Sequence, residues 1–148
     1  MAGMDEAVTL EPADGRLGVV ERFLKEAGLP SADVRSTPAE FSLASVGGEV
    51  VGVGGLEGAG SAGLLRSVAV REPARGSGVG TAICDGLEAT AREDGTETLY
   101  LLTTTAADFF AARGYTQLER SAAPAPVRET TQFAELCPAS ATCMRKPL

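Results

Sequence analysis

The sequence predicts an α/β fold, with a mixed central sheet of six to seven strands flanked by helices. Three observations carry this. Strand-like apolar runs alternate with stretches of helical spacing. A glycine pair joins two of the early strands as a hairpin. Longer helical stretches separate the later strands, as crossover connections do. The chain has 148 residues, 44% of them hydrophobic and 22% charged. That length suits a single domain over residues 1–148 with a core of its own.

Each element can be justified in order. "AVTL" (7–10) reads as a short strand. In "EPADGRLGVVERFLKEAGLP", Leu17, Val20, Phe23, Leu24 and Ala27 recur at helical spacing. Asp14 is placed to cap that helix, and Gly28 and Pro30 to end it. "FSLASVGGEVVGVGGLE" (41–57) reads as two strands joined at Gly47-Gly48. "SAGLLRSVAV" (61–70) is the next strand. From Val79 to about Asp94, Ile83, Leu87 and Ala91 share one helical face, and Gly95 stops the helix. "TLYLLTTT" (98–105) is a β-rich strand, "AADFFAARGY" a short helix ended by Gly114, and "YTQLE" a short strand. The proline-containing segment 121–139 is expected to be irregular, with a short helix near Glu129–Leu136. "ATCMRKPL" is a final strand.

Composition excludes several chemistries. There is no histidine, which removes Ser-His-Asp and Cys-His nucleophile schemes and His-ligated metal sites. The three cysteines, Cys84, Cys137 and Cys143, form no CxxC pair, so no metal site is expected. Cys84 reads as a small buried residue. Cys137 and Cys143 are close enough in sequence to face each other, but a disulfide is the weaker reading for a cytosolic protein. The net charge of −7 is opposite to that of a general nucleic-acid binder. No apolar run is long enough to span a membrane, and the N-terminus lacks a signal-peptide pattern. A cytoplasmic location is expected.

The stretch "SVAVREPARGSGVGTAI" (67–83) carries the main functional signal. Gly76, Gly78 and Gly80 lie between a strand and a helix, with Arg75 in front. Two glycines would suffice to turn a corner. Three in alternation suggest a backbone kept bare for a ligand. A helix N-terminus offers free N–H groups and the positive end of a dipole, so phosphate or pyrophosphate is the expected ligand. Arg75 would add a charge-assisted contact. The spacing fails the P-loop, since no lysine follows, and fails GxGxxG, since Thr81 stands at the sixth position. Arg75-Gly76-Ser77-Gly78-Val79-Gly80 does fit [Q/R]-x-x-G-x-[G/A].

With its strand and helix, "VAVREPARGSGVGTAICDGLEATA" resembles the coenzyme A-binding motif of the GNAT superfamily of acyl-CoA N-acyltransferases. The likeness in element order covers roughly residues 5–120. It implies that Val68, Ala69 and Val70 form a strand that ends in a bulge and polarises a thioester. It implies that Arg75, Gly76, Ser77, Gly78, Val79 and Gly80 hold the pyrophosphate. "LYLLTTTAADFFAARGYTQLER" and the ending after it further resemble the acetyltransferase domain of N-acetylglutamate synthases. The tail "RETTQFAELCPASATCM" is most like small arsenic-resistance N-acetyltransferase-like proteins. These likenesses imply acetyl-CoA as cosubstrate and a small amine, such as an amino acid, as acceptor. They also imply pairing of two copies through strands near the C-terminus, for which "ATCMRKPL" is the candidate.

Acetyl transfer to an amine needs a polarised carbonyl, a neutral amine and a leaving thiolate. Backbone N–H near Val70 could serve the first. Glu57, at the end of the third strand, is the candidate base; a solvated hairpin carboxylate is the competing reading. Arg66 could receive an acceptor carboxylate bidentately, against a structural salt bridge or an exposed end. Ser67 and the threonines Thr103, Thr104 and Thr105 could offer hydroxyls, although a threonine run also reflects β-propensity. The family often has a tyrosine on the helix after the fifth strand, placed to protonate the thiolate. Phe109 and Phe110 stand there instead, and Tyr115 reads as a core aromatic. Two alternatives stay open. One is an acyl-CoA-binding sensor without turnover. The other is an acetyltransferase acting on a protein or peptide tail.

Overall fold

Gly47 and Gly48 take positive φ angles of 60° and 84°. A two-residue hairpin turn of this kind needs left-handed backbone at both central positions, which glycine supplies without a steric penalty. The turn joins β2 (Glu40–Val46) to β3 (Glu49–Ala59). The computed structural model describes residues 8–59, 61–71, 78–136 and 140–148. Within them, β1 (Thr9–Pro12) and α1 (Leu17–Glu26) precede the hairpin. β4 (Ala62–Val70), α2 (Val79–Glu93), β5 (Thr98–Thr103), α3 (Ala107–Ala112) and β6 (Thr116–Leu118) follow. The tail holds α4 (Ala125–Arg128), a π turn at Gln132–Leu136 and β7 (Thr142–Pro147).

The seven strands form one mixed sheet in the order β1-β2-β3-β4-β5-β7-β6. Only β4 and β5 run parallel. α2 makes the crossover between them, as a parallel pair requires. It packs on one face of the sheet, where Val79, Ile83, Leu87 and Ala91 meet Val51, Leu56, Leu65, Leu99, Leu101 and Met144. Gly54 of β3 brings the helix close. A Cβ there would stand 2.7 Å from Ile83 and 2.9 Å from Leu87. The other face has two covers side by side. α1 buries Val20 and Leu24 against Phe41, Leu43, Val53 and Ala69. The tail buries Ala123, Val127 and Phe133 against Leu64, Tyr100 and Cys143.

Three local expectations need correction. Asp14 does not cap α1; Arg16 holds the N-cap position and no side chain caps it. The expected tail helix splits into α4 and the π turn: Pro124 is an extended N-cap and Pro126 stands in the first turn, so a short helix starts at Ala125. β5 stops at Thr103, where the Thr103 hydroxyl accepts the Ala106 N–H at 3.0 Å and turns the chain into α3. β7 is interior, hydrogen-bonded to β5 on one side and β6 on the other. Edge-to-edge pairing of two copies through β7 would therefore have to displace β6. Among the described residues, no helix is long and apolar enough to cross a membrane.

Candidate active site

The site begins where two strands part. β4 and β5 pair at Ala62↔Thr98, Gly63↔Leu99 and Leu64↔Tyr100 and no further. Beyond that point β4 bulges. Gly55 faces Arg66 and Val53 faces Ala69, so Gly54 alone stands opposite both Ser67 and Val68. An extra residue bends a strand and sharpens its twist. The bulge is strained as well as bent: Ser67 has φ 61°, in the left-handed region. That conformation costs a non-glycine residue about 1–3 kcal/mol and persists only where its surroundings impose it.

The fork between the strands is a cavity of about 800 Å³. Leu65 through Val70 form one wall and Leu101 through Ala106 the other. Phe110 closes the α3 side, Gln132 and Ala141 come from the tail, and Ala27–Pro30 come from the end of α1. The cavity thus meets both faces of the sheet.

Next to the cavity's Val70 wall lies the N-terminus of α2. Gly78 is its N-cap residue, with φ 88° and no side chain to occupy the first N–H groups. A Cβ at Gly78 would meet nothing within 4 Å. The first turn contains no acidic residue. Free N–H groups and the helix dipole therefore act without a competing carboxylate. Gly80 lies beside Phe109, whose ring would be 3.5 Å from an added Cβ.

Most of the sequence-derived site residues meet here. Arg66, Ser67, Val68, Ala69, Val70, Thr103 and Thr104 all line the cavity. Gly78, Val79 and Gly80 lead into or open α2. Arg75, Gly76 and Ser77 lie outside the described residues. Glu57 does not line the cavity. It is buried behind Arg66, 3.7 Å from a guanidinium nitrogen, and accepts the Thr37 hydroxyl at 3.3 Å. Among the described lining residues there is no carboxylate.

Arg66 is already engaged. Its two terminal nitrogens each donate to Asp33 at 2.6 Å, and its Nε donates to Ser67 Oγ at 3.0 Å. Its side chain is fully buried, with the guanidinium over the Phe41 ring at 5.5 Å. The fork expected to take an acceptor carboxylate holds Asp33 instead. Breaking such a buried pair from one side costs about 3–5 kcal/mol. Asp33 had no signal in the sequence. An acidic residue in a loop such as "PSADVRSTP" reads as solvated.

Tyr115 is a core residue, as expected. Its ring packs edge-on against Phe110 and its hydroxyl donates to Glu88 at 2.9 Å. Burial, and then the Glu88 charge, push its pKa up. It does not line the cavity.

A bulged strand thus parts from its parallel neighbour next to a glycine-led helix. Residues 13–118 match the acetyltransferase (GNAT) family model, and the chain belongs to that family. No curated protein sequence matches it. Several solved structures share the fold. Rv2747 from Mycobacterium tuberculosis, in complex with CoA and a second compound, is 24% identical with a TM-score of 0.78, covering 95% of this chain and 99% of that one. N-acetylglutamate synthase from Neisseria gonorrhoeae, complexed with CoA and L-arginine, is 19% identical with a TM-score of 0.76; the match covers 97% of this chain but only 34% of the synthase. A GNAT-family acetyltransferase from Staphylococcus aureus is 16% identical with a TM-score of 0.73, covering 96% of this chain and 99% of that one.

Proposed function

We propose that the chain is an N-acetyltransferase that moves acetyl from acetyl-CoA to the amine of a small molecule, an amino acid or an analogue of one. The observation that carries this reading is the fork. A cavity opens beside a bulged strand, and the glycine-led N-terminus of α2 lies next to its Val70 wall, which is 3.9 Å from a Cβ added at Gly80. The CoA named in the complexes of Rv2747 and the gonococcal synthase supports the cosubstrate. The synthase, named for an acetylated amino acid, supports the acceptor class.

Acetyl-CoA would supply the acetyl group and a thiolate leaving group; a carbon–nitrogen bond forms as the carbon–sulfur bond breaks. The α2 N-terminus, with Gly78, Val79 and Gly80, would hold the phosphates, joined by Arg75, Gly76 and Ser77. The backbone of Val68, Ala69 and Val70 would orient and polarise the carbonyl. The hydroxyls of Ser67, Thr103 and Thr104 would contact the acceptor. Glu57 would take the amine proton across a water, since it stands behind Arg66 rather than on the wall. Phe110 fills the place where the family often has an acid. A thiol pKa near ~8.5 lets the thiolate leave and take its proton from water.

A second reading follows from charge. The buried cluster holds one guanidinium, Arg66, and two carboxylates, Asp33 and Glu57. Its field favours the ammonium end of an acceptor over a carboxylate, which suits a polyamine or a basic peptide.

Thiol release from acetyl-CoA, measured with amino acids, polyamines and peptides, separates these readings. Turnover on a small amino acid is expected. Turnover on polyamines or peptides alone would overturn the acceptor class. Tight acetyl-CoA binding without turnover would make the chain a sensor. Glu57→Gln is expected to lower kcat/KM by about 100-fold. An unchanged kcat/KM would reassign Glu57 to holding Arg66.

A further inference from the structure

The strained Ser67 is held in place from one side, and the hold can be followed residue by residue. Ser67 is the only non-glycine among the described residues with positive φ. Its Oγ accepts the Arg66 Nε–H at 3.0 Å. The opposite edge of the same guanidinium is clamped by both oxygens of Asp33, each at 2.6 Å. Asp33 sits in the connection between α1 and β2, and its carbonyl accepts the N–H groups of Ser36 and Thr37, both at 2.9 Å. That same connection begins at Ala27–Pro30, which also line the cavity. Asp33, Arg66 and Ser67 therefore form a strut from that connection to β4.

We propose that Asp33 is a positioning residue for acyl transfer, acting through Arg66 and Ser67 to hold the β4 bulge in its strained shape. The inference rests on the acetyltransferase reading for its effect on rate, but not for its effect on structure. An ion pair that only stabilised the fold would need neither the left-handed Ser67 nor the Nε bond to it. A planar guanidinium gripped at one edge has a fixed direction for its remaining N–H. Fixing that N–H fixes the Ser67 side chain, and with it the backbone that precedes Val68, Ala69 and Val70.

The test is a double-mutant cycle on Asp33→Asn and Ser67→Gly. Glycine accepts the left-handed conformation, so Ser67→Gly keeps the bulge accessible while removing the contact. Each single change is expected to lower kcat about tenfold. Asp33→Asn should leave both KM values within about twofold, because misplacement of a reacting group costs rate rather than binding, while Ser67→Gly also removes a hydroxyl proposed to contact the acceptor and raises that KM. The double variant is expected to lose little more than either single one, because one strut can be broken only once. A loss near 100-fold in the double variant, or a change confined to the acceptor KM, would overturn the proposal. Arg35→Ala, which removes an exposed pair with Glu21 on the same connection, is the control and should leave kcat unchanged. If Asp33→Asn does not fold, Arg66→Lys replaces it in the cycle.

Amide hydrogen exchange supplies a readout that needs no turnover. In the free protein, Asp33→Asn and Arg66→Lys are expected to speed exchange in the peptide spanning Ser67–Val70, relative to Leu64 and Leu65. Unchanged exchange there would overturn the strut whatever the enzyme assay shows. An inactive wild type with the expected exchange pattern would sink the acetyltransferase reading and leave the strut standing.

Discussion

Cys84 shows how the core treats a reactive group. It is fully buried on α2, and burial pushes its thiol up to about 12. Burial also raises the pKa of Cys143. Thiolate is the reactive form, so Cys84 is expected to be inert in the folded protein. At pH 8 its alkylation by iodoacetamide, followed by peptide mass spectrometry, should be about a thousandfold slower than in urea. Rapid native alkylation would mean that α2 opens. Residue-scale reading of the sequence succeeded where a residue's neighbours are set by its own helix or strand. Cys84 was legible as core for that reason, and Tyr115 only through the family likeness. It fell short where the partner lies far along the chain. The guanidinium of Arg66 meets Asp33, 33 residues away, and nothing in a loop sequence marks that meeting.

At the scale of elements, the hairpin, the crossover helix and the short α3 were legible because local chemistry specifies them. Glycine pairs, 3.6-residue spacing and a glycine stop need no tertiary information. The parting of β4 and β5 was not visible in this way; only a likeness to known proteins suggested a bulge. It depends on a bulge whose register is set by β3, and on threonine hydroxyls that turn the chain after Thr103. A second feature outside sequence reach pins α2. Glu88 accepts hydrogen bonds from Tyr115 and Lys146, both at 2.9 Å, and pairs with Arg113 at 3.2 Å. Burial alone would raise its pKa, but those three partners outweigh burial and hold it below the ordinary 4.5. A lowered carboxylate contributes stability above its unfolded value and loses it as pH falls through the folded one. Glu88→Gln should therefore cost about 1–3 kcal/mol at neutral pH, by leaving buried donors short of an acceptor. In urea unfolding, the gap to wild type should narrow below about pH 4.5. A gap independent of pH would show that Glu88 acts through packing alone.

At the scale of the molecule, the mixed sheet follows the sequence closely, and the family match covers residues 13–118. The likeness to arsenic-resistance proteins, which neither the family match nor the solved structures show, draws on the stretch from Leu99 onward and is strongest in the tail, where Cys137 lies outside the described residues. The acidic surface and the anion-ready α2 terminus pull in opposite directions. With a net charge of −7, long-range steering works against a polyphosphate ligand, so in the proposed reading local N–H groups, the helix dipole and Arg75 would carry the binding. The absence of any acidic residue in the first turn of α2 is therefore the feature on which the cosubstrate reading turns. Thr81 is an exposed residue of that turn, and a carboxylate there separates folding from binding. An acid in a helix's first turn stabilises the helix by about 0.3–1 kcal/mol, yet it repels a phosphate. The decisive measurement is a calorimetric titration of acetyl-CoA into wild type and Thr81→Glu, with Tm recorded for both. The expected result is affinity at least about tenfold weaker in Thr81→Glu with Tm unchanged or higher. Equal affinity in the two proteins, or no binding to wild type, would contradict the placement of the pyrophosphate at α2 and the acyltransferase reading built on it.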